Sequence, residues 1–216
     1  MYKYILTFTG NDPTMNKNQP EDLFMKKASD ILSDELEMIY LILDVLLGIQ
    51  RKLMNRDDVP YTDIKQVIYF LRVFVENCHN KKEKSILFPE LQKNAITISE
   101  GLLEQMRSEK ELSGLYTVAM ETIIKENKVL TAEARDKLIV LINKYLKLIR
   151  EHIHKEQFYI LPILQQELPE ATQDKILEEF KLSDEEAFGY ESNQKFHKSF
   201  SKVFSVLQEK YDNQGT

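Results

Sequence analysis

The sequence is poor in residues that break helices and in residues that cross-link chains: among 216 positions there are six glycines, six prolines, one cysteine and no tryptophan. With Cys78 alone, an intrachain disulfide is excluded, and a reducing compartment, the cytoplasm, fits best. Long hydrophobic runs are also missing. The longest, Ile39 to Ile49, is interrupted by Asp44 and falls well short of the roughly 20 residues that span a bilayer, so no membrane segment is expected. Met1 to Gly10 is too short for a secretory signal and lacks a small-residue cleavage pattern. No basic stripe is present, and the formal net charge of -6 argues against a protein that binds nucleic acid through its phosphates.

What is abundant is Leu, Ile, Lys and Glu, with 43% hydrophobic and 30% charged residues, the composition of amphipathic helices. An all-α fold is the expectation, with one main domain and one or two appended helices. Apolar residues recur at helical spacing from Leu23 to Met54. A second helix is predicted from a Thr62 cap to Leu87, a third from Ser99 to Asn127, and a fourth from a Thr131 cap to Leu161, ahead of Pro162. Short connections make these four helices antiparallel neighbours in a bundle. The expected organisation is an N-terminal arm over residues 1–20, a bundle over 21–168 and a helical extension over 169–216. In that extension a short helix from Glu170 to Phe180 is followed by Ser183-Asp184-Glu185-Glu186, which has the form of a capping box. It would open a last helix ending near Lys210, with Phe196, Phe200, Val203, Phe204 and Leu207 on the face packed against the bundle.

One pattern occurs twice. His79-Asn80-Lys81-Lys82-Glu83 precedes Ile86-Leu87-Phe88-Pro89, and His152-Ile153-His154-Lys155-Glu156 precedes Tyr159-Ile160-Leu161-Pro162. The two align without a gap at an offset of 73 residues, each with a proline six residues after its glutamate, as a duplicated helical hairpin would give. Residues four apart on a helix lie one above the other, so His79 with Glu83, and His152 with Glu156, can each aim at one point. Ile68, Leu71 and Val75 lead into the first pair at steps of three and four, and Leu141, Tyr145 and Ile149 into the second, which places both on apolar stripes. Neighbouring buried carboxylates cost several kcal/mol per charge unless a metal, a cation or shared protons compensate them. Imidazole with carboxylate is a standard metal-ligand set.

These motifs resemble those of the hemerythrin-like (HHE cation-binding) proteins, over about Asp34 to Pro162 and more weakly around Phe188 to Phe200. The resemblance implies a four-helix bundle holding non-haem iron, mono- or dinuclear, with His79, Glu83, His152 and Glu156 as metal ligands. It implies a metal ion and a diatomic gas as binding partners, and a role in oxygen, nitric oxide or iron binding or sensing. The family supplies one further histidine from each of helices one and three. Here Glu35-Leu36-Glu37-Met38-Ile39 puts Leu36 at the first of these positions, and Glu109-Lys110-Glu111-Leu112-Ser113 puts Lys110 at the second. Helical spacing agrees: Leu32, Leu36, Ile39 and Leu43 form one stripe, and Leu103, Met106, Lys110, Ser113, Thr117 and Met120 the other, so Lys110 is expected to point inward. Tyr40, one turn after Leu36, offers a phenol to the same cavity; His154 faces away from it, Cys78 packs, and His197 matches a tail histidine of the family. Two readings follow. Either metal is held by the four surviving ligands, or the Lys110 ammonium replaces its charge in a metal-free regulatory or interaction module. The glutamates could also serve acid/base chemistry, but no residue identifies a substrate, and a non-enzymatic role is expected.

Overall fold

The computed structural model describes residues 27–94, 96, 98–127, 129–188 and 192–211, with 188, 192–199 and 201 described by backbone alone. The expected N-terminal arm lies outside the described residues, as do the side chains of Phe196 and His197. Among the described residues there are six helices and no strand: α1 (Ala28–Met54), α2 (61–93), α3 (Glu100–Glu126), α4 (132–166), α5 (Glu170–Phe188) and α6 (Ser192–Tyr211). The first four close an antiparallel ring in which each packs against its sequence neighbours and α1 against α4. The all-α bundle with a C-terminal helical extension is therefore the observed architecture. No helix among the described residues is long and apolar enough to cross a membrane.

Each bundle helix turns its apolar stripe inward. Leu32, Leu36, Ile39 and Leu43 of α1 are buried, as are Leu103, Met106, Lys110, Ser113, Thr117 and Met120 of α3. Full burial of one such apolar side chain contributes about 1.5–3 kcal/mol, which is why stripes three to four residues apart decide the packing. The start of α1 is capped by the Asp30 carboxylate, which accepts the Lys27 backbone N–H at 2.8 Å. Thr131 caps α4 by accepting the Ala134 N–H at 3.2 Å, as expected from its position.

Two helices run further than their prolines led us to expect. α2 continues through Pro89 to Lys93, and α4 through Pro162 to Gln166. The reason is a wide π turn just before each proline. Phe88 donates its N–H to the carbonyl of Glu83, five residues back, and Leu161 does the same to Glu156. The widened turn makes room for a ring that would clash with a normal α turn, so the helix continues. Both π turns begin on the glutamate of the repeated motif.

The extension also departs from expectation. Ser183 does not start a helix; α5 runs straight through it to Phe188, and Ser183 is buried inside. Asp184, the next residue of the supposed box, is used in a tertiary ion pair instead. α6 lies along α1, where Phe200 and Phe204 stack on each other and meet the edge of Phe70 with ring centroids 4.8 and 4.7 Å apart. Gly48 permits this approach, because a Cβ there would overlap the carbonyl oxygen of Tyr211. The Tyr211 hydroxyl and the Lys210 ammonium both donate to Asp63, at 2.7 and 2.6 Å.

Candidate metal centre

The two copies of the motif meet in the middle of the bundle. His79, Glu83, His152 and Glu156 are each at most 3% exposed. His79 Nε2 lies 3.1 Å from Glu156 Oε2 and 3.7 Å from Glu83 Oε2, and His152 Nε2 lies 2.7 Å from Glu156 Oε1. Ligand-type atoms of His79, Glu83 and Glu156 all fall within 4.8 Å of one another. Lys110 points inward: its ammonium donates to Glu83, to Asn80 Oδ1 at 3.0 Å, and stands 3.7 Å from Glu156 Oε1. Leu36 is buried, so an apolar side chain occupies the position related to Lys110 by the repeat. Tyr40 is only half-buried, and its hydroxyl donates to Gln157 Oε1 at 3.1 Å. His154 is exposed, with its ring 4.3 Å from that of Phe158.

Sequence reasoning missed the groups that hold the two imidazoles from outside. His79 Nδ1 lies 2.9 Å from Glu35 Oε2, and His152 Nδ1 lies 2.9 Å from Glu109 Oε2. Each of these carboxylates is bound in turn by the lysine three residues after its histidine, Lys82 on Glu35 and Lys155 on Glu109, the latter at 2.7 Å. A signal was present. Both motifs read His-x-x-Lys-Glu, and a glutamate precedes both Leu36 and Lys110, within one residue of the repeat offset.

The charges explain one another. Burial disfavours charge on His79, but Glu156, Glu35 and Glu83 outweigh it and push the imidazole up to about 10. His152 is also raised, since the Glu156 and Glu109 charges overcome burial and the opposing Lys110. Burial would lift Glu156, yet both histidines and Lys110 hold it well below the usual carboxylate range. Glu83 goes the other way, raised by burial and by the Glu156 charge beside it. Glu109 is held down at about 2: burial opposes this, and His152 with Lys155 prevails.

Two observations test whether these residues suit a metal ion. The outer nitrogen of each imidazole is taken by a carboxylate, which leaves both Nε2 atoms for the centre, as ligating histidines require. His152 Nε2 and Glu156 Oε1 are buried, 2.7 Å apart, and not aligned for a hydrogen bond. Buried polar atoms without a hydrogen-bond partner are open to a cation. The ligand atoms of His79, Glu83 and Glu156 gather closely enough for one, with Lys110 already sharing Glu83.

No curated protein and no solved structure matches the chain. The family model of the hemerythrin HHE cation binding domain matches residues 30–164, a span that opens in the first turns of α1 and closes near the end of α4, with both histidine motifs and all four carboxylates inside it. The chain belongs to the hemerythrin HHE cation-binding family.

Proposed function

We propose that this protein binds one non-haem iron ion through His79, Glu83, His152 and Glu156, with Lys110 as a built-in counter-cation. The observation that carries this reading is the pair of buried atoms without a hydrogen-bond partner, His152 Nε2 and Glu156 Oε1, the latter on a carboxylate that also gathers with His79 and Glu83. Charge sets the number of ions. Five carboxylates, Glu35, Glu83, Glu109, Glu156 and Asp184, face three ammonium groups, Lys82, Lys110 and Lys155. With neutral imidazoles the cluster carries two negative charges, which one divalent ion balances; a second ion would leave two positive charges uncompensated in a dry interior. A ferrous ion would supply reversible binding of a diatomic gas, and the resemblance to the family points to oxygen, nitric oxide or iron sensing. Here Leu36 keeps one side of the site apolar, and Glu35 and Glu109 hold the rings in place. The cytoplasm suits a protein whose only cysteine, Cys78, is a buried thiol.

A second reading has its own support: the Lys110 ammonium already bonds Glu83 and Asn80 within reach of Glu156. In that case the lysine replaces the metal and the bundle acts as a regulatory or interaction module. Elemental analysis with an absorption spectrum separates the two. Protein from iron-replete cells should carry about one equivalent of iron, and less than about a tenth of an equivalent would sink the metal reading. A Leu36→His/Lys110→His variant that gains iron and a near-ultraviolet band absent from the wild type would place the natural protein in the second class.

A further inference from the structure

On the outer side of each imidazole the two halves carry the same chain of groups, a carboxylate and then a lysine, and they differ just beyond the lysines. On the α3–α4 side, Lys155 is 15% exposed, and Glu109 takes a further hydrogen bond only from Gln105 of its own helix, at 3.0 Å. On the α1–α2 side, Lys82 is 1% exposed, and its ammonium lies between Glu35 and Asp184, the latter 2.6 Å away on α5. Around this ion pair the Cys78 thiol donates to Asp184 at 3.2 Å, and the Phe180 ring of α5 lies 5.7 Å from the Lys82 ammonium. Ligand-type atoms of Glu35, Cys78 and Asp184 converge within 4.8 Å, and the cation they surround is Lys82. The sealed half therefore depends on a residue from outside the bundle.

We propose that Asp184 is a positioning residue for the centre: it holds Lys82, through Lys82 it orients Glu35, and through Glu35 it fixes the His79 ring. The physical reason is that a buried ammonium does not rest between two carboxylates without both. If Asp184 is lost, Lys82 either moves toward water or pivots fully onto Glu35, and the Glu35 oxygen facing His79 Nδ1 shifts in both cases. Docking of α5 and occupation of the centre then form one coupled equilibrium, so that whatever factor the extension adds to metal affinity, metal adds to docking. This last clause rests on the metal-binding reading; the positioning of His79 does not.

The test uses the full chain and two readouts. In metal-free protein, ring-nitrogen NMR of the two buried histidines compares Asp184→Asn, Asp184→Glu and Lys81→Ala. The last removes the exposed Lys81–Glu186 pair, which joins α2 to α5 at 2.8 Å but leads away from the centre. Asp184→Asn should move the His79 ring signals and leave those of His152 in place, Asp184→Glu should restore them, and Lys81→Ala should move neither. The second readout is ferrous-ion affinity, which Asp184→Asn should weaken by about tenfold, with a matching change in hydrogen exchange of α5 when iron is added to the wild type. If Asp184→Asn fails to fold, Cys78→Ala, which removes only the thiol support of Asp184, should give a smaller shift of the same resonances. Signals of His79 and His152 that move together, or that both stay still, overturn the proposal. Selective movement of His79 in a protein that takes up no iron upholds the positioning role and removes the metal reading alone.

Discussion

The hairpin α1–α2 and the hairpin α3–α4 bring the same device to the middle of the bundle, a lysine on a glutamate on a histidine, and then part company. In the first, Leu36 faces the centre and Lys82 is sealed under α5; in the second, Lys110 faces the centre and Lys155 reaches toward solvent. The carboxylates on the outer nitrogens of the imidazoles are equivalent in the two halves, whereas the groups on the inner side and beyond the lysines differ. The contrast teaches that the outer carboxylates answer a requirement of the histidines themselves. Lys110 answers a different one, the charge of the interior.

The largest expected effect comes from making the inner positions alike. Lys110→Met leaves Glu83 and Glu156 facing each other without their ammonium and should cost about 3–5 kcal/mol in urea denaturation of the metal-free protein. Leu36→Met, which conserves volume and polarity, should cost less than about 1.5 kcal/mol. A Lys110→Met loss within about 0.5 kcal/mol of zero would dissolve the contrast.

The outer lysines sharpen it. Removing Lys82 takes the buried ammonium from both Glu35 and the part-buried Asp184, so Lys82→Met should cost about 3 kcal/mol or more, and Lys155→Met, whose ammonium is part-exposed and serves one carboxylate, less, about 0–1 kcal/mol. Equal costs would mean that sealing by α5 is energetically idle.

The extension can be loosened without touching either lysine. Gly48→Val pushes α6 from α1 and should cost about 1–3 kcal/mol through overpacking. Hydrogen exchange should quicken in residues 192–211 and stay unchanged in α3 and α4. Acceleration spread evenly over the bundle would show that α6 is part of the core and not an attachment to its first half.

A further expected signal is in pH. His79 is raised to about 10, against about 6.5 in an unfolded chain. A raised value contributes stability fully below the unfolded pKa and loses it as pH rises through the folded one, so the metal-free protein should weaken between about 6.5 and 10. Glu109 has the opposite sign: it is held at about 2, so its contribution is present above the ordinary carboxylate range and disappears as acid passes through that value. The denaturation midpoint of wild type should fall toward alkali, and His79→Gln should flatten that slope. An unchanged slope in the variant would reassign the loss to other groups.

Much of this could be read from the chain. Periodicity predicted α1 and α3, residue type at the preceding turn predicted the Thr131 cap, and the inward direction of Lys110 followed from its place between Met106 and Ser113 on one stripe. The repeated His-x-x-x-Glu on two apolar stripes pointed to four side chains that the packed helices do bring together. Glu35, Glu109, Lys82 and Lys155 escaped notice because a charged residue beside a ligand position has no periodic signature to separate it from a solvated surface charge. Asp184 was misread outright as part of a helix cap.

Local spacing along the chain was thus enough for the helices, their buried faces and the four side chains at the centre, since each of these depends on neighbours within two turns. Which carboxylate steadies which imidazole, and why one lysine is sealed while its counterpart keeps some exposure, arise from contacts between segments that are 30 to 106 residues apart. Those contacts exist only once the rods are packed, because the energy that selects them, desolvation of charge, is absent from the extended chain.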